Sequence, residues 1–464
     1  MIDCPSYIPN ILSDLTRKGI DLSEVFFEKR ISSFISCEDQ RIEKIDFGID
    51  LGVGLRIIHS QKTSYAYSND ISESSLKKMA ESLVCTLNVP QERISINLNK
   101  VIPPRPFPVE KPFQKVSLDV KSNLVRRANH AARGLDPNLI KQVKVVYSDN
   151  IQEICLMNSE GEKIEEIRPS IIFLVQVVAA KGQEIQTGYE AIGGRTGMEI
   201  FNNQHSPENI AELAARRALT MLDADPAPTG PMTVILSSEA GGTMIHEAIG
   251  HGLEADLIQK RLSVFSNQLG EKVASPVVTV IDDATLPGKR GSFYYDDEGT
   301  PAQRTVLVEK GILRRYMYDR LSALKAKSVS TGNGRRESYQ HVPIPRMTNT
   351  FINPGSFHPE EIISSTPKGL FVKKMGGGQV DTVSGEFVFE VNEGYLVERG
   401  KITRPVRGAT LIGKGPKVLQ NIDMVGSDLG YQVGTCGKDG QRAPVSDAQP
   451  TLRIKQIVVG GQSI

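Results

Sequence analysis

The first half of the chain contains four stretches in which apolar residues recur three or four positions apart. They are residues 7–18, 76–87, 116–133 and 207–222. This period places the apolar side chains on one face of a helix, so each stretch is predicted to be helical. Ser206 and Pro207 strengthen the fourth prediction, because serine caps helix starts and proline suits the first turn.

Alternating apolar and polar residues, with many β-branched side chains, predict strands in most of the remaining chain. Three or four antiparallel strands are expected within residues 25–63, and further strands at 140–173 with breaks at 148–150 and 158–162. An apolar strand from Ile171 is followed by an expected glycine-rich loop at 188–197. The later predicted strands are 232–236, 277–282, 303–309, 385–392, 394–398, 401–411 and 452–458, while 320–325 and 446–450 are expected to be helical or irregular.

Proline-rich segments divide this pattern into regions. Prolines are dense between residues 101 and 112 and again between 226 and 231, and this density excludes both helix and central strand. The division predicts an N-terminal α+β domain at 1–100, a Pro-rich linker at 101–115, a central α+β domain at 116–225 and a β-rich domain at 226–464. The expected fold class is α+β, with N-terminal α/β units containing antiparallel strands followed by a large β-rich C-terminal domain.

Composition narrows the class of protein. The 464 residues are 39% hydrophobic, and 55 basic against 54 acidic residues give a net charge of +1, so no nucleic-acid partner is indicated. Five scattered cysteines do not form the pattern of a disulfide framework, which favours a reducing cytoplasm. The longest apolar stretch, residues 171–180, is too short to span a membrane, so no membrane association is expected.

A pair of histidines at an unusual spacing begins the β-rich region. His246 and His251 are five residues apart, Glu247 follows the first, and their helix is expected to begin at Ser237. Zinc hydrolases commonly use H-E-x-x-H, because residues four apart differ by only about 40° around a helix. Five residues turn through roughly 500°, leaving the side chains about 140° apart. We therefore predict a widened π-type turn near Gly250, with both histidines as metal ligands and Glu247 as general base.

Two histidines do not complete a catalytic zinc site, which usually has three protein ligands and one open position. The acidic candidates for the third ligand are Glu254, Asp256, Asp282, Asp283, Asp296 and Asp297. Cys436 is an equal candidate, since its polar, glycine-flanked loop is an unusual place for a buried structural thiol. A purely structural role for the two histidines also stays open at this point.

Eight segments together carry a resemblance to a known family. They are residues 188–195, 246–256, 295–299, 332–336, 345–350, 376–381, 404–410 and 433–441. The chain resembles the TldD/PmbA family of metallopeptidases, and its TldD branch most closely, since the PmbA branch lacks the metal motif. The resemblance implies that His246, His251 and Cys436 bind Zn²⁺ and that Glu247 is the catalytic carboxylate. The domain at 226–464 would then be catalytic and would carry the metal-site helix.

The expected function is zinc-dependent hydrolysis of peptide bonds in short or unfolded peptides, with metal-activated water and Glu247 as general base. A peptide could bind as an added strand beside an exposed sheet edge. The resemblance also implies an enclosed dimeric chamber, formed as a homodimer or as a heterodimer with a PmbA-like protein.

The residue that stabilises the oxyanion and the class of function both stay open. Candidates for stabilising the oxyanion are Tyr339, His341 and the Arg335–Arg336 pair, although structural or substrate-contact roles are favoured for each. The alternative functions are a non-catalytic regulatory partner, of a PmbA-like protein or of a topoisomerase, and a metal-dependent hydrolase of non-peptide amides.

Overall fold

The structure is a computed structural model that describes residues 4–87, 89–90, 92–101, 103, 107 and 109–461. Within the predicted linker at 101–115, residues 102, 104–106 and 108 lie outside the described residues.

The described strands, in chain order, are β1 (Leu22–Glu38), β2 (Arg41–His59), β3 (Lys62–Ser68), β4 (Asn99–Val101), β5 (Ile140–Asn158), β6 (Glu162–Lys181), β7 (Glu184–Gly194), β8 (Asp225–Pro226), β9 (Gly230–Leu236), β10 (Val280–Asp283), β11 (Arg304–Glu309), β12 (Ile312–Leu313), β13 (Gly334–Arg335), β14 (Ile344–Pro345), β15 (Asn349–Ile352), β16 (Lys368–Val380), β17 (Glu386–Glu398), β18 (Lys401–Arg407), β19 (Thr410–Lys414), β20 (Ile422–Val425), β21 (Gly430–Lys438), β22 (Gln441–Gln449) and β23 (Leu452–Gly460). The described α-helices are α1 (Ile8–Leu15), α2 (Glu73–Cys85), α3 (Leu118–Leu135), α4 (Pro207–Leu222), α5 (Thr243–Ile245), α6 (Ala255–Gln259), α7 (Arg320–Ala326), α8 (Pro359–Ser364) and α9 (Gly415–Gln420).

The four predicted helices of the first half are confirmed as α1 to α4, and they pack on one sheet. That sheet has the order β3-β2-β1-β5-β6-β4, and β7 also pairs with β6. Strands β1 and β5 pair along residues 24–38, so strands from both sides of the proline-rich segment belong to the same sheet. Helices α1 and α2 cover β1 and β2, whereas α3 and α4 cover β5 and β6. The division into domains stays a prediction.

The expected break at residues 148–150 is wrong, because β5 runs through it without interruption. Asp149, at the centre of this segment, is buried inside the strand and has partners of its own. The Asp149 carboxylate accepts hydrogen bonds from Tyr147 at 2.5 Å and Ser33 at 2.6 Å, and it forms an ion pair with Lys121 at 2.5 Å. The prediction was wrong because it relied on residue types that are common in turns. Here contacts with distant segments provide hydrogen-bond partners for the buried polar group, so it fits within a sheet.

Two further predicted irregular segments are strands. The expected loop at 188–197 is mostly β7, and Gly188 serves close packing there: a Cβ at this position would lie 1.8 Å from the carbonyl oxygen of Ala214 in α4. The segment 446–450, expected to be helical or irregular, belongs mainly to β22. It pairs in parallel with β15, almost a hundred residues earlier, and no local period reveals such a contact. The segment 320–325, also expected to be helical or irregular, is helix α7.

The C-terminal half is built from two larger sheets around one core. One has the order β16-β9-β23-β19-β17-β18-β8, with β20 on β23, and a further β16–β17 pairing closes part of it into a ring. The other has the order β12-β11-β10-β15-β22-β21. Apolar residues of the segment with the two histidines, including Met244, Ile245 and Ile249, are buried in this core. The fold class is therefore α+β, as expected, and the segment with the two histidines is buried in the β-rich half.

Candidate metal centre and active site

The segment that carries the two histidines changes its helical form twice. Helix α5 leads into a π turn at His246–Gly250, which a 3-10 turn follows at His251–Leu253. The backbone N–H of His251 donates to the carbonyl of His246, a hydrogen bond between residues five apart that is typical of a π turn. The predicted widening of the helix between the two histidines is confirmed.

Two glycines shape this segment. Gly241 has a φ of 76° and separates the segment from a 3-10 turn at Ser238–Ala240, which Ser237 caps. The prediction that the histidine helix begins at Ser237 is therefore wrong. A Cβ on Gly250 would lie 2.1 Å from the Met347 sulfur, so glycine at this position lets the π turn pack directly on the core.

Three side chains with metal-binding atoms meet at this turn. His246 Nε2 lies 3.1 Å and His251 Nε2 lies 3.3 Å from the sulfur of Cys436, and the three donor atoms are all within 4.8 Å of one another. Cys436 is on β21, the last strand of its sheet, which pairs with β22 alone among the strands. Among the described residues, these three side chains form a group whose donor atoms lie close enough together to hold one metal ion.

The acidic candidates for the third ligand lie elsewhere. Glu254 contacts the far side of the His251 ring, and Asp256 pairs with Lys438 at 2.6 Å. Asp282 and Asp296 each accept several hydrogen bonds in the core. Asp283 is likewise buried and accepts hydrogen bonds from Thr285, and Asp297 is paired with Arg168. The geometry thus favours Cys436 among the alternatives that the sequence left open.

Each histidine is oriented by a buried carboxylate. Asp447 Oδ1 lies 2.8 Å from His246 Nδ1, and Glu254 Oε2 lies 3.0 Å from His251 Nδ1. Because an ionised carboxylate only accepts hydrogen bonds, each ring must carry a proton on Nδ1. The Nε2 atoms then face Cys436 and can offer lone pairs to a cation, which is the usual arrangement around metal-binding histidines.

The same contacts set the protonation of the three donors. Burial opposes a charged imidazolium at His251, but Glu254 and Cys436 outweigh it and raise the pKa of His251 to about 9. Burial also opposes a thiolate at Cys436, yet its hydrogen bonds with His246 and His251 lower the pKa of this thiol to about 5. At neutral pH a cation that binds here has to displace protons from the imidazoles and meets a thiolate.

Sequence reasoning missed several residues that support this centre. Asp447 was hidden in a segment expected to be irregular. Lys438 Nζ lies 3.1 Å from Glu254, and although burial raises the pKa of this carboxyl, Lys438 and His251 lower it to about 2. Arg346 donates to the backbone carbonyl of Cys436 at 2.6 Å and so anchors β21. Lys438 and Arg346 lie in segments that the family resemblance had already marked, which was the available signal.

Glu247 faces the same cleft as the three donors. The cleft has a volume of about 450 Å³, and burial raises the pKa of the Glu247 carboxyl above its usual value. Among the described residues, no hydrogen bond or ion pair occupies this carboxylate. It is therefore available to exchange protons with a molecule in the cleft.

Two strand ends border the cleft, and each has a strand neighbour on one side only. Strand β21 has β22 on one side only, and its residues 432–438 line the cleft. Beyond Val372, strand β16 pairs with β17 and no longer with β9, and its residues 378–380 line the opposite wall. A larger cleft of about 820 Å³ adjoins this one, and both are lined by Gln379 and Val380.

The candidates for an oxyanion donor lie outside this cleft. Tyr339 is buried in an apolar cluster beside β1, its backbone N–H bonds Glu28, and His341 contacts Ser338 at 3.0 Å. Arg335 and Arg336 line a separate cavity. Apart from the two histidines, the side chains with N–H groups that line the metal cleft are those of Gln379, Gln432 and Lys438.

The chain is similar to known metallopeptidases along most of its length. The PmbA/TldA metallopeptidase domain 1 matches residues 23–84, the central domain matches 111–222 and the C-terminal domain matches 229–461. A metalloprotease TldD homolog of Haemophilus influenzae is 38% identical over 97% of this chain and 95% of its own length. A homolog of the same name from Buchnera aphidicola is 40% identical over the same shares.

Solved structures share the fold at low sequence identity. A Thermotoga maritima protein described as a candidate modulator of a DNA gyrase has a TM-score of 0.81 at 22% identity, covering 98% of this chain and 99% of its own. TldE from Thermococcus kodakarensis has a TM-score of 0.77 at 18% identity, covering 98% and 100%.

The chain belongs to the PmbA/TldD family of metallopeptidases, as the matches along its length show. It is accordingly a metal-dependent hydrolase, and its curated relatives above carry the TldD name. Within the described residues, none of the helices has the length and apolar character needed to cross a membrane.

Proposed function

We propose that the protein is a zinc-dependent peptidase that hydrolyses peptide bonds in short or unfolded peptides. The observation that carries the proposal is the meeting of His246, His251 and Cys436 at a cleft that Glu247 also faces. Two imidazole nitrogens and one thiolate form a donor set that suits zinc and leaves a fourth position open. The carboxylates behind both imidazoles support the fit, because they fix the rings with Nε2 toward the ion.

Glu247 is the general base in this proposal. When bound, a zinc ion acts as a Lewis acid and allows water to attack a carbonyl at neutral pH. Glu247 takes the proton that the attacking water loses and returns it to the amine that leaves. Its pKa, raised by burial, brings the carboxyl nearer to the pH at which it can both accept and return a proton.

The substrate binds in this proposal as an extended strand between β21 and the end of β16. At the cleft each of these strands has a strand neighbour on one side only. In β21 the carbonyls of Gly434 and Cys436 already accept hydrogen bonds from arginines, so a peptide would have to use the remaining backbone groups. Main-chain hydrogen bonds carry little information about side chains, so we expect broad sequence preference and a requirement for unfolded chain. Folded proteins cannot present such a strand and should resist cleavage.

The experiment that tests the function is digestion of a peptide library by the zinc-loaded protein, read by mass spectrometry. We expect cleavage products from many sequences, loss of cleavage with a chelator, and recovery when zinc is added back. Tight zinc binding without cleavage of any peptide would contradict the proposal and favour the regulatory role. Cleavage limited to non-peptide amides would favour the other alternative.

We further propose that the protein acts as a dimer, with itself or with a PmbA-like partner, in the cytoplasm. Strand β2 carries an alternating row of exposed apolar side chains, with Ile45, Phe47 and Ile49 at 47%, 64% and 62% exposure. Such a row on a soluble protein commonly marks a protein interface. Light scattering should give the mass of a dimer, and Phe47→Asp should reduce it to a monomer. A wild-type monomer, alone and with a PmbA-like protein, would contradict this.

A further inference from the structure

A second cavity contains an excess of positive charge. It has a volume of about 150 Å³ and lies where the first sheet meets the C-terminal half. Seven arginines line it, against two carboxylates, those of Asp297 and Glu337. An arginine-rich lining of this kind is costly to bury unless each charge has a partner.

Three of these arginines have carboxylate partners in the protein. The pairs are Arg30 with Glu28 at 2.7 Å, Arg168 with Asp297 at 2.5 Å and Arg336 with Glu24 at 2.5 Å. Four others do not: among the described residues, no carboxylate oxygen lies within 4.0 Å of Arg195, Arg290, Arg335 or Arg442. Arg442 is exposed to solvent, whereas the other three are buried or partly buried without a paired carboxylate.

The unpaired arginines are held in place by neutral groups. Arg195 donates from Nε to the carbonyl of Ser292 at 3.0 Å, and Arg335 donates to the carbonyls of Met347 at 2.5 Å and Pro444 at 2.6 Å. Their exposure is only 3% and 4%. Burial lowers the pKa of Arg335 to about 10, although Asp297 and Asp282 act in the opposite direction. The two side chains are thus fixed in position, and neither has a carboxylate within ion-pair distance.

We propose that this cavity binds a small oxyanion between the guanidinium groups of Arg195, Arg290 and Arg335. Guanidinium forks match the oxygens of carboxylate and phosphate groups and can bind them with paired hydrogen bonds. At about 30 Å³ per water molecule, the cavity has room for one such group with a few waters and excludes a nucleotide. The oxyanion is free phosphate or the C-terminal carboxylate of a peptide.

The site is linked to the metal centre through one strand. Arg290 donates to the hydroxyl of Thr435 at 3.0 Å and also to the carbonyl of Gly434, the two residues before Cys436 in β21. Thr435 lines both the arginine cavity and the metal cleft. An oxyanion on Arg290 therefore bears on the strand that supplies the thiolate. The peptide carboxylate as its source rests on the proposed peptidase function.

The test begins with inorganic phosphate and the full-length, zinc-loaded protein. The thermal midpoint is measured as phosphate replaces sodium chloride at constant ionic strength. We expect a saturable rise of several degrees near a hundred times the dissociation constant. Arg195→Met and Arg290→Met should each lose this response. Arg404→Met is the matched control, because Arg404 is exposed, pairs with Asp225 and does not line the cavity, and it should respond as wild type does.

A second arm distinguishes the two sources and uses one peptide as free acid and as amide. A peptide carboxylate predicts a KM several-fold higher for the amide in wild type and equal KM values in Arg290→Met. Free phosphate predicts equal KM values in wild type with the thermal response intact. The proposal is overturned if phosphate acts no differently from chloride and the acid and amide are equivalent. It is also overturned if both variants keep the wild-type response. The phosphate arm needs no cleavage, so failure of the peptidase proposal would be seen separately.

Discussion

Replacing Asp447 by asparagine should weaken zinc binding while the fold stays intact. The carboxylate lies 2.8 Å from His246 Nδ1, on the opposite side of the ring from Cys436. Asparagine has the same shape and keeps a carbonyl oxygen for the Nδ1 proton, so the change removes the charge and little else. Any loss of affinity then measures what that charge contributes to the imidazole as a ligand.

Two arguments give the size of the expected loss of zinc affinity. Exchange of a charge-assisted hydrogen bond for a neutral one costs about 1–2 kcal/mol. The Asp447 side chain is only 11% exposed, so solvent screens this interaction weakly and the full range applies. Loss of a carboxylate behind a metal-binding histidine typically lowers metal affinity about 10–100-fold, which corresponds to about 1.4–2.7 kcal/mol. We therefore expect a dissociation constant roughly 10–100 times that of wild type.

The assay is competition for zinc with a chromogenic chelator at fixed pH. Asp423→Asn is the matched control, since Asp423 is partly buried in the same half of the protein and pairs with Arg453 at 2.6 Å, away from the centre. Its zinc affinity should equal that of wild type. The reasoning is refuted if Asp447→Asn binds zinc as tightly as wild type, or if the control loses as much affinity.

Three other predictions concern the same centre. Glu247→Gln should keep zinc but lower peptide cleavage about 10²–10⁴-fold, because it removes the proton acceptor, and a fluorogenic peptide with metal analysis of the same sample checks both parts. Gly250→Ala should cost about 1–3 kcal/mol of stability in chemical denaturation, because the new Cβ would lie 2.1 Å from the Met347 sulfur; an unchanged midpoint would contradict the close packing. Zinc affinity should fall as pH falls below about 9, because the raised pKa of His251 keeps a proton there that zinc must displace; calorimetry in two buffers should detect proton release, and a pH-independent affinity would contradict it.

The local sequence pattern was sufficient to predict the helices of the first half and the π turn between the two histidines. The helical period predicted α1 to α4, because apolar residues three or four positions apart lie on one face only when the segment is helical. The spacing of His246 and His251 predicted the π turn, since an ordinary helix cannot direct both rings to one point. In both cases the decisive interactions lie within a few residues of one another along the chain.

Contacts between distant segments could not be read from the sequence. Asp149 looked like a turn residue, but its partners Ser33 and Lys121 come from other elements. Asp447 is brought to His246 only because β22 pairs with β15. The arginine cavity likewise draws its lining from both halves of the chain. These cases depend on long-range strand pairing or on packing between distant elements, and local periodicity encodes neither.

The most direct test of the account is zinc K-edge X-ray absorption on the reconstituted protein. The account predicts one sulfur at about 2.3 Å and two imidazole nitrogens at about 2.0–2.1 Å from the ion. In Cys436→Ser the sulfur signal should vanish and most of the zinc should be lost. A wild-type spectrum with only oxygen and nitrogen neighbours, or full zinc occupancy in Cys436→Ser, would contradict the proposed centre.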